Sequence, residues 1–319
     1  MLVYILFIIG FVFMIKGADL LVDGAASLAK RFNISNLVIG LTVVSFGTSA
    51  PELAVNVIAS LNGNNDIAIG NILGSNIANI LLILGVSALI YPLTVHRNTV
   101  KKEIPYSFIV AVVLGLLVSD IVLDNAEFAM LSRVDGVVLI VLFAAFLVYT
   151  YRISKETNEL PEDVEIKELS VGKAIVFISI GIVGLVFGGD WIVKGAVVMA
   201  EHLGMSQSFI GLTIVAVGTS LPELATSAVA AYKRNTDIAI GNVVGSNIFN
   251  ITWILGLSSI INPIVFNSHN MMDLGVVLLA TFLLIVAIFA GKKYTLTKFE
   301  GIIFLIIYFV YIAFLIYEG

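Results

Sequence analysis

Long runs of apolar side chains alternate with short polar breaks along the 319 residues, without the strict alternation of a half-buried strand. The pattern predicts ten helices, with approximate spans 2–29, 34–61, 66–91, 104–120, 128–151, 171–200, 206–232, 237–262, 273–291 and 300–317. At a rise of about 1.5 Å per residue, each crosses all or most of a hydrocarbon layer about 30 Å thick. The only sizeable polar stretch, 152–170, is acidic and too short to be a domain. It reads as a cytoplasmic linker between two five-helix repeats, 1–151 and 171–319.

The halves resemble each other. With a constant offset of 171 residues, 29 of the 47 positions from Ile39 to Gly85 are identical to those from Ile210 to Gly256. An odd number of helices per copy makes the second enter the membrane from the opposite side. The loops test this through the positive-inside rule. Lys30-Arg31-Phe32-Asn33 corresponds to Glu201-His202-Leu203-Gly204, and the uncharged Asn62-Gly63-Asn64-Asn65 to Lys233-Arg234-Asn235-Thr236. With both termini extracytoplasmic, 14 of the 17 Lys and Arg lie at cytoplasmic ends, the exceptions being Lys16, Arg133 and Lys194. Inverted repeats are an architecture of secondary transporters, with the substrate site near the midplane.

Composition narrows the class. Hydrophobic residues make up 59% of the chain and charged residues 12%, with a mean hydropathy of +1.07. These values describe an all-α, multi-pass integral membrane protein. The net charge of −5 offers no platform for nucleic acid, and nothing marks a protein partner beyond the lipid bilayer. The absence of cysteine excludes disulfides and thiol chemistry. The apolar stretch Met1 to Phe13 has no basic start or obvious cleavage site, and its pattern recurs around Phe177 to Trp191. It reads as a retained helix rather than a signal peptide.

The repeated segments carry polar residues, expensive inside a membrane and usually functional. Gly47-Thr48-Ser49-Ala50-Pro51-Glu52 is matched by Gly218-Thr219-Ser220-Leu221-Pro222-Glu223. Pro51 and Pro222 predict broken helices, with Ser-x-x-Glu as a capping box that restarts each. The break is expected to free carbonyls such as those of Ser45, Phe46 and Thr48, and of Ala216, Val217 and Thr219. No basic residue lies near Glu52 or Glu223 in sequence, so a cation ligand is favoured over a bare cap. In the next helix Asn71, Ser75 and Asn79 share one stripe, as do Asn242, Ser246 and Asn250. Ser75, Asn79, Ser246 and Asn250 are expected to line the site, Asn71 and Asn242 to line it or pack, and Asn76 and Asn247 to join helices. Gly70/Gly74 and Gly241/Gly245 permit close helix approach.

Two bidentate Glu and the Thr48 and Thr219 carbonyls supply six oxygens, which suits Ca²⁺ better than Mg²⁺. The surrounding hydroxyls and amides could instead divide the cavity into Na⁺ sites. Lys16, three residues before Asp19, and Lys194, four after Asp190, are expected to pair with those carboxylates or snorkel. Neither repeat offers a nucleophile–base pair, so an enzyme is not expected.

These paired motifs resemble the alpha repeats of the cation/calcium exchanger superfamily, specifically its sodium/calcium exchanger type, over essentially the whole chain. The proton-coupled calcium exchangers carry a different sequence before the glutamate. The resemblance implies that Glu52 and Glu223 bind Ca²⁺ with the Thr48 and Thr219 carbonyls. It implies that Ser49, Ser75, Ser220 and Ser246, with the carbonyls of Ser45 and Ala216, serve flanking Na⁺ sites. It further implies that the first and sixth helices slide against the other eight. Some relatives, potassium-dependent ones among them, have Asp where this chain has Asn250, so Asn argues against K⁺ dependence. The expected function is Na⁺/Ca²⁺ antiport across the cell membrane, with Ca²⁺ and Na⁺ as transported ions and no cofactor. The alternatives are a Ca²⁺/H⁺ or K⁺-dependent antiporter and, least favoured, a passive Ca²⁺ channel.

Overall fold

The computed structural model describes residues 2–94, 102–119, 129–154, 167–202, 216–290 and 294–318. In the first repeat, α1 (Leu2–Phe32) is followed by α2 (Asn36–Thr48) and α3 (Ala50–Leu61), one span bent by 49°. Then come α4 (Asn65–Ile90), α5 (Glu103–Leu117) and α6 (Arg133–Ile153). The second repeat has α7 (Val171–His202), a helical turn at Ala216–Gly218, and α8 (Leu221–Tyr232). It continues with α9 (Thr236–Ile261), α10 (Ser268–Ala290) and α11 (Lys298–Glu318). Among the described residues seven helices are long and apolar enough to span a membrane, or eight with the bent pair. The shorter α5 and α8 stand where the two other spans are predicted. The start of the seventh predicted span, 206–215, most of the linker, the loops near Arg97 and Lys292, expected to be cytoplasmic, and the one near Asp124, expected to be extracytoplasmic, lie outside the described residues.

Burial separates core from periphery. The most apolar windows of α4 and α9 are 78% and 94% buried, against 17–33% for α1, α6, α7, α10 and α11. The outer helices therefore turn Ile8, Val12, Val141, Val183 and Phe309 outward, as lipid requires. The core pair is antiparallel: Asn65 at the start of α4 bonds the Pro263 carbonyl beyond the end of α9, while Thr236 at the start of α9 bonds the Thr94 carbonyl beyond the end of α4. Each core helix runs into a short strand, β1 (Leu93–Thr94) after α4 and β3 (Ile264–Phe266) after α9. Strand β1 pairs with β4 (Thr295–Leu296), just before α11, and β3 with β2 (Ala129–Leu131), just before α6. One sheet thus closes each end, and each joins opposite repeats.

Helices α1 and α7 also run antiparallel, along a glycine seam. A Cβ on Gly10 would come within 2.9 Å of the Gly188 carbonyl, one on Gly17 within 2.8 Å of the Gly181 carbonyl, and one on Gly24 within 2.8 Å of the Ala174 carbonyl. Backbone cannot yield as a flexible side chain can, so glycine is required for this approach. Gly17→Val is expected to cost about 1–3 kcal/mol, by overpacking. Thermal unfolding of purified protein would show it as a lowered melting temperature, and an unchanged one would contradict the seam.

The charges of α1 depart from expectation. Lys194 pairs with Asp190 at 2.8 Å, as the sequence suggests. Asp19, however, pairs with Lys233 at 2.5 Å, and Asp23 binds both Lys233 at 2.6 Å and Lys167 at 2.7 Å. The close approach of the α8–α9 connection to α1 supplies a nearer partner than Lys16, a contact that sequence spacing does not encode. Beside it, Lys30 holds the Glu168 carboxyl below its ordinary range.

Candidate functional site

The two breaks face each other at the centre of the core. Pro51 offers no N–H to the Gly47 carbonyl, and Ser49 leaves helical geometry at φ −82°, ψ 10°. Ser220 does the same before Pro222, at φ −85°, ψ 4°. Gly241 and Gly245 let α2 lie on α9: a Cβ on them would stand 2.8 and 2.7 Å from the Leu37 and Leu41 carbonyls. No described atom lies within 4 Å of a Cβ built on Gly70 or Gly74. Wide π-type turns at Ala78–Ile83 and Asn250–Leu255 re-aim the faces that follow, a device common at functional sites.

The capping boxes do not form. Neither Ser49 nor Ser220 caps its helix with its side chain. Each hydroxyl crosses to the opposite repeat instead: Ser49 donates to Glu223 Oε1 at 2.8 Å, and Ser220 approaches Glu52 Oε1 at 3.5 Å. A hydrogen bond to a carboxylate is stronger than one to a neutral partner, so the carboxylate outcompetes the local cap. Freeing of the Ser45 carbonyl is also not seen, because it accepts the Ser49 N–H at 3.0 Å and the Thr48 hydroxyl at 3.3 Å.

What results is a hydrogen-bonded cage with twofold pseudo-symmetry. Glu52 Oε1 and Glu223 Oε1 also receive Ser75 and Ser246, both at 3.4 Å. Ser49 reaches Ser246, and Ser220 reaches Ser75, at 3.0 Å each. Thr48 and Thr219 turn their hydroxyls to Asn242 Oδ1 at 2.9 Å and Asn71 Oδ1 at 3.1 Å, which assigns Asn71 and Asn242 to the wall. Those two amides are held in turn by Asn56 Oδ1 at 2.6 Å and the Ser227 hydroxyl at 2.9 Å. Asn56 and Ser227 were not singled out from sequence. Their signal is position: each lies four residues after a glutamate, on the same helical face. The structure thus brings Ser45, Thr48, Ser49, Glu52, Ser75, Asn79, Ser220, Glu223, Ser246 and Asn250 into one buried cluster, with Thr219 part-buried beside them. Ala216 is placed only by its backbone, in the helical turn.

Four oxygens in this cage stand out. Glu52 Oε2, Glu223 Oε2, Asn79 Oδ1 and Asn250 Oδ1 are all buried without a hydrogen-bond partner. Both glutamates are 0% exposed, and no salt bridge reaches either among the described residues. All four atoms are acceptors. A buried acceptor left bare costs about 1–3 kcal/mol, and more when charged. That chemistry calls for a hard cation with oxygen ligands.

The family model described as sodium/calcium exchanger protein matches residues 2–152 and 173–317, both repeats and all but the linker. The chain belongs to this family. Its members are cation exchangers, transporters rather than enzymes. Relatives of this exchanger include sodium/calcium exchanger MaX1 from Methanosarcina acetivorans, 31% identical over 350 residues that cover 98% of each chain. Inner membrane protein YrbG from Escherichia coli is 39% identical over 266 residues, 81% of this chain and 79% of that one. Among solved structures, the sodium-calcium exchanger NCX_Mj soaked with Na⁺ and Ca²⁺ superposes with a TM-score of 0.84 at 33% identity, covering 98% of both chains. The fold is therefore that of an inverted-repeat exchanger.

Proposed function

We propose that the protein exchanges Na⁺ for Ca²⁺ by alternating access, about three Na⁺ per Ca²⁺. The four bare buried oxygens carry this reading. Glu52 and Glu223 together hold a charge of −2, which one Ca²⁺ neutralises. Their four carboxylate oxygens and the Thr48 and Thr219 carbonyls make six, at the lower edge of the Ca²⁺ range. Glu52, Glu223, Asn79 and Asn250 serve either ion, while Ser49, Ser75, Ser220 and Ser246 and the Ala216 carbonyl bind Na⁺ in the flanks of the same cavity. The Ser45 carbonyl, which accepts the Ser49 N–H and the Thr48 hydroxyl, is left out of this set. Because these ligand sets overlap, Ca²⁺ and the full Na⁺ complement exclude each other, the physical requirement for exchange. Helices α1 and α7, fastened along their glycine seam, move as one body past the α4/α9 core.

Repeats 1–151 and 171–319 then sit inverted in the cell membrane around a cytoplasmic linker, 152–170, with both termini outside. Single cysteines replacing Asn64 and Arg234 in this cysteine-free chain are expected to label from outside and from the cytoplasm, respectively. Labelling of both from one side would contradict the inversion. Function is tested in sealed proteoliposomes with Na⁺, K⁺ and H⁺ gradients imposed one at a time. Ca²⁺ uptake is expected with an outward Na⁺ gradient alone; uptake driven by H⁺, or in the absence of any gradient, would replace antiport with Na⁺ by the proton-coupled or channel reading.

A further inference from the structure

Where α4 and α9 cross, a second pair of amides is left over by the cation reading. Asn76 and Asn247 are buried, at 0% and 1% exposure. Each donates its Nδ2 to the other's main-chain carbonyl at 3.3 Å. Each also offers its Oδ1 to a candidate ligand of the opposite repeat: Asn76 accepts Asn250 Nδ2, and Asn247 accepts Asn79 Nδ2, both at 2.9 Å. Two of the four bonds link side chains whose far ends reach the cage.

A carboxamide has two unlike ends, an oxygen that attracts a cation and an NH₂ that repels it. Half a turn about its last bond exchanges them. The bonds to Asn76 and Asn247 engage the NH₂ ends of Asn250 and Asn79, and the oxygens of those same two amides are the ones left buried and bare. Asn250 Nδ2 also lies 3.2 Å from the Ser75 hydroxyl, a second acceptor for the same NH₂ group. We propose that Asn76 and Asn247 are positioning residues, each fixing the opposite repeat's ligand amide so that it presents oxygen, never nitrogen, to the transported cation. This rests on the cation site proposed above. It differs from helix packing in what it requires of positions 79 and 250: a carboxylate there shows an oxygen whichever way it turns and has no need of orientation.

That difference is measurable in a double-mutant cycle. Equilibrium binding of radioactive Ca²⁺ to purified protein, at fixed pH and K⁺, would compare the parent, Asn76→Ala, Asn250→Asp and the double variant. Asn76→Ala is expected to weaken Ca²⁺ binding about tenfold in the parent background and less than about twofold beside Asp at 250. In proteoliposomes the parent-background variant should show the loss as a raised KM for Ca²⁺, with a maximal rate within about twofold of the parent's. The mirror cycle, Asn247→Ala with Asn79→Asp, serves if the first set does not fold. An equal loss in both backgrounds, or a lowered melting temperature with unchanged Ca²⁺ affinity, would overturn the orienting role and leave packing. A parent that binds Ca²⁺ but shows no Na⁺-driven uptake would reject antiport while the binding cycle still decides this inference. A parent that binds no Ca²⁺ would reject both.

Discussion

Glu52→Gln and Glu223→Gln are each expected to lower Na⁺-driven Ca²⁺ uptake by about a hundredfold or more while the protein stays folded. The amide keeps the size of the side chain and an oxygen for the Ser75 and Ser220 hydroxyls at position 52, or the Ser49 and Ser246 hydroxyls at position 223. What is lost is one of two negative charges facing a divalent ion. At about 4 Å and an effective dielectric of 20, a single unit-charge pair is worth about 4 kcal/mol, and each 1.4 kcal/mol is roughly tenfold in binding. Size-exclusion chromatography would check the fold and isotope uptake the transport. Near-normal exchange by either variant would show that its glutamate serves the helix break rather than the ion.

A strong dependence on membrane potential is expected in the same vesicles. With Ca²⁺ bound the −2 site is neutral; with three Na⁺ it carries +1, so the Na⁺-loaded passage moves net charge. One charge crossing the whole potential gains about 2.3 kcal/mol per 100 mV. An inside-negative potential should therefore speed Ca²⁺ extrusion against Na⁺ entry, and clamping it with valinomycin and K⁺ should remove the effect. Rates indifferent to potential would point to two Na⁺ per Ca²⁺.

Much of this architecture was legible in the sequence because a membrane restricts the solutions. Long apolar runs with no alternation favour helices, and repeats of odd helix number with opposite charge at matching loops point to inversion. Glu52 and Glu223 stood out for a related reason, as carboxylates in apolar segments with no basic residue beside them, and the structure buries both in one cluster. What stayed hidden depends on which residues the fold brings together across long separations. Ser49 and Ser220 look like helix caps because Ser-x-x-Glu is a local signal, yet their hydroxyls serve the opposite repeat. Asp19 looks like a partner for Lys16 by spacing, yet Lys233 reaches it from 214 residues away. Asn76 and Asn247 look like packing residues because they leave the polar stripe, and only the crossing of α4 and α9 shows which amides they hold. Gly10, Gly17 and Gly24 are scattered through an apolar helix and acquire meaning only against α7.

Locating a bound cation would decide whether the paired carboxylates and amides form the transported-cation site. Crystals soaked in Sr²⁺ or Ca²⁺ would be measured for anomalous scattering. A peak is expected between Glu52 and Glu223, about 2.3–2.6 Å from their carboxylate oxygens and the Thr48 and Thr219 carbonyls, and it should be lost when Na⁺ is raised. A peak away from these glutamates, or an empty cage at saturating Ca²⁺, would contradict it.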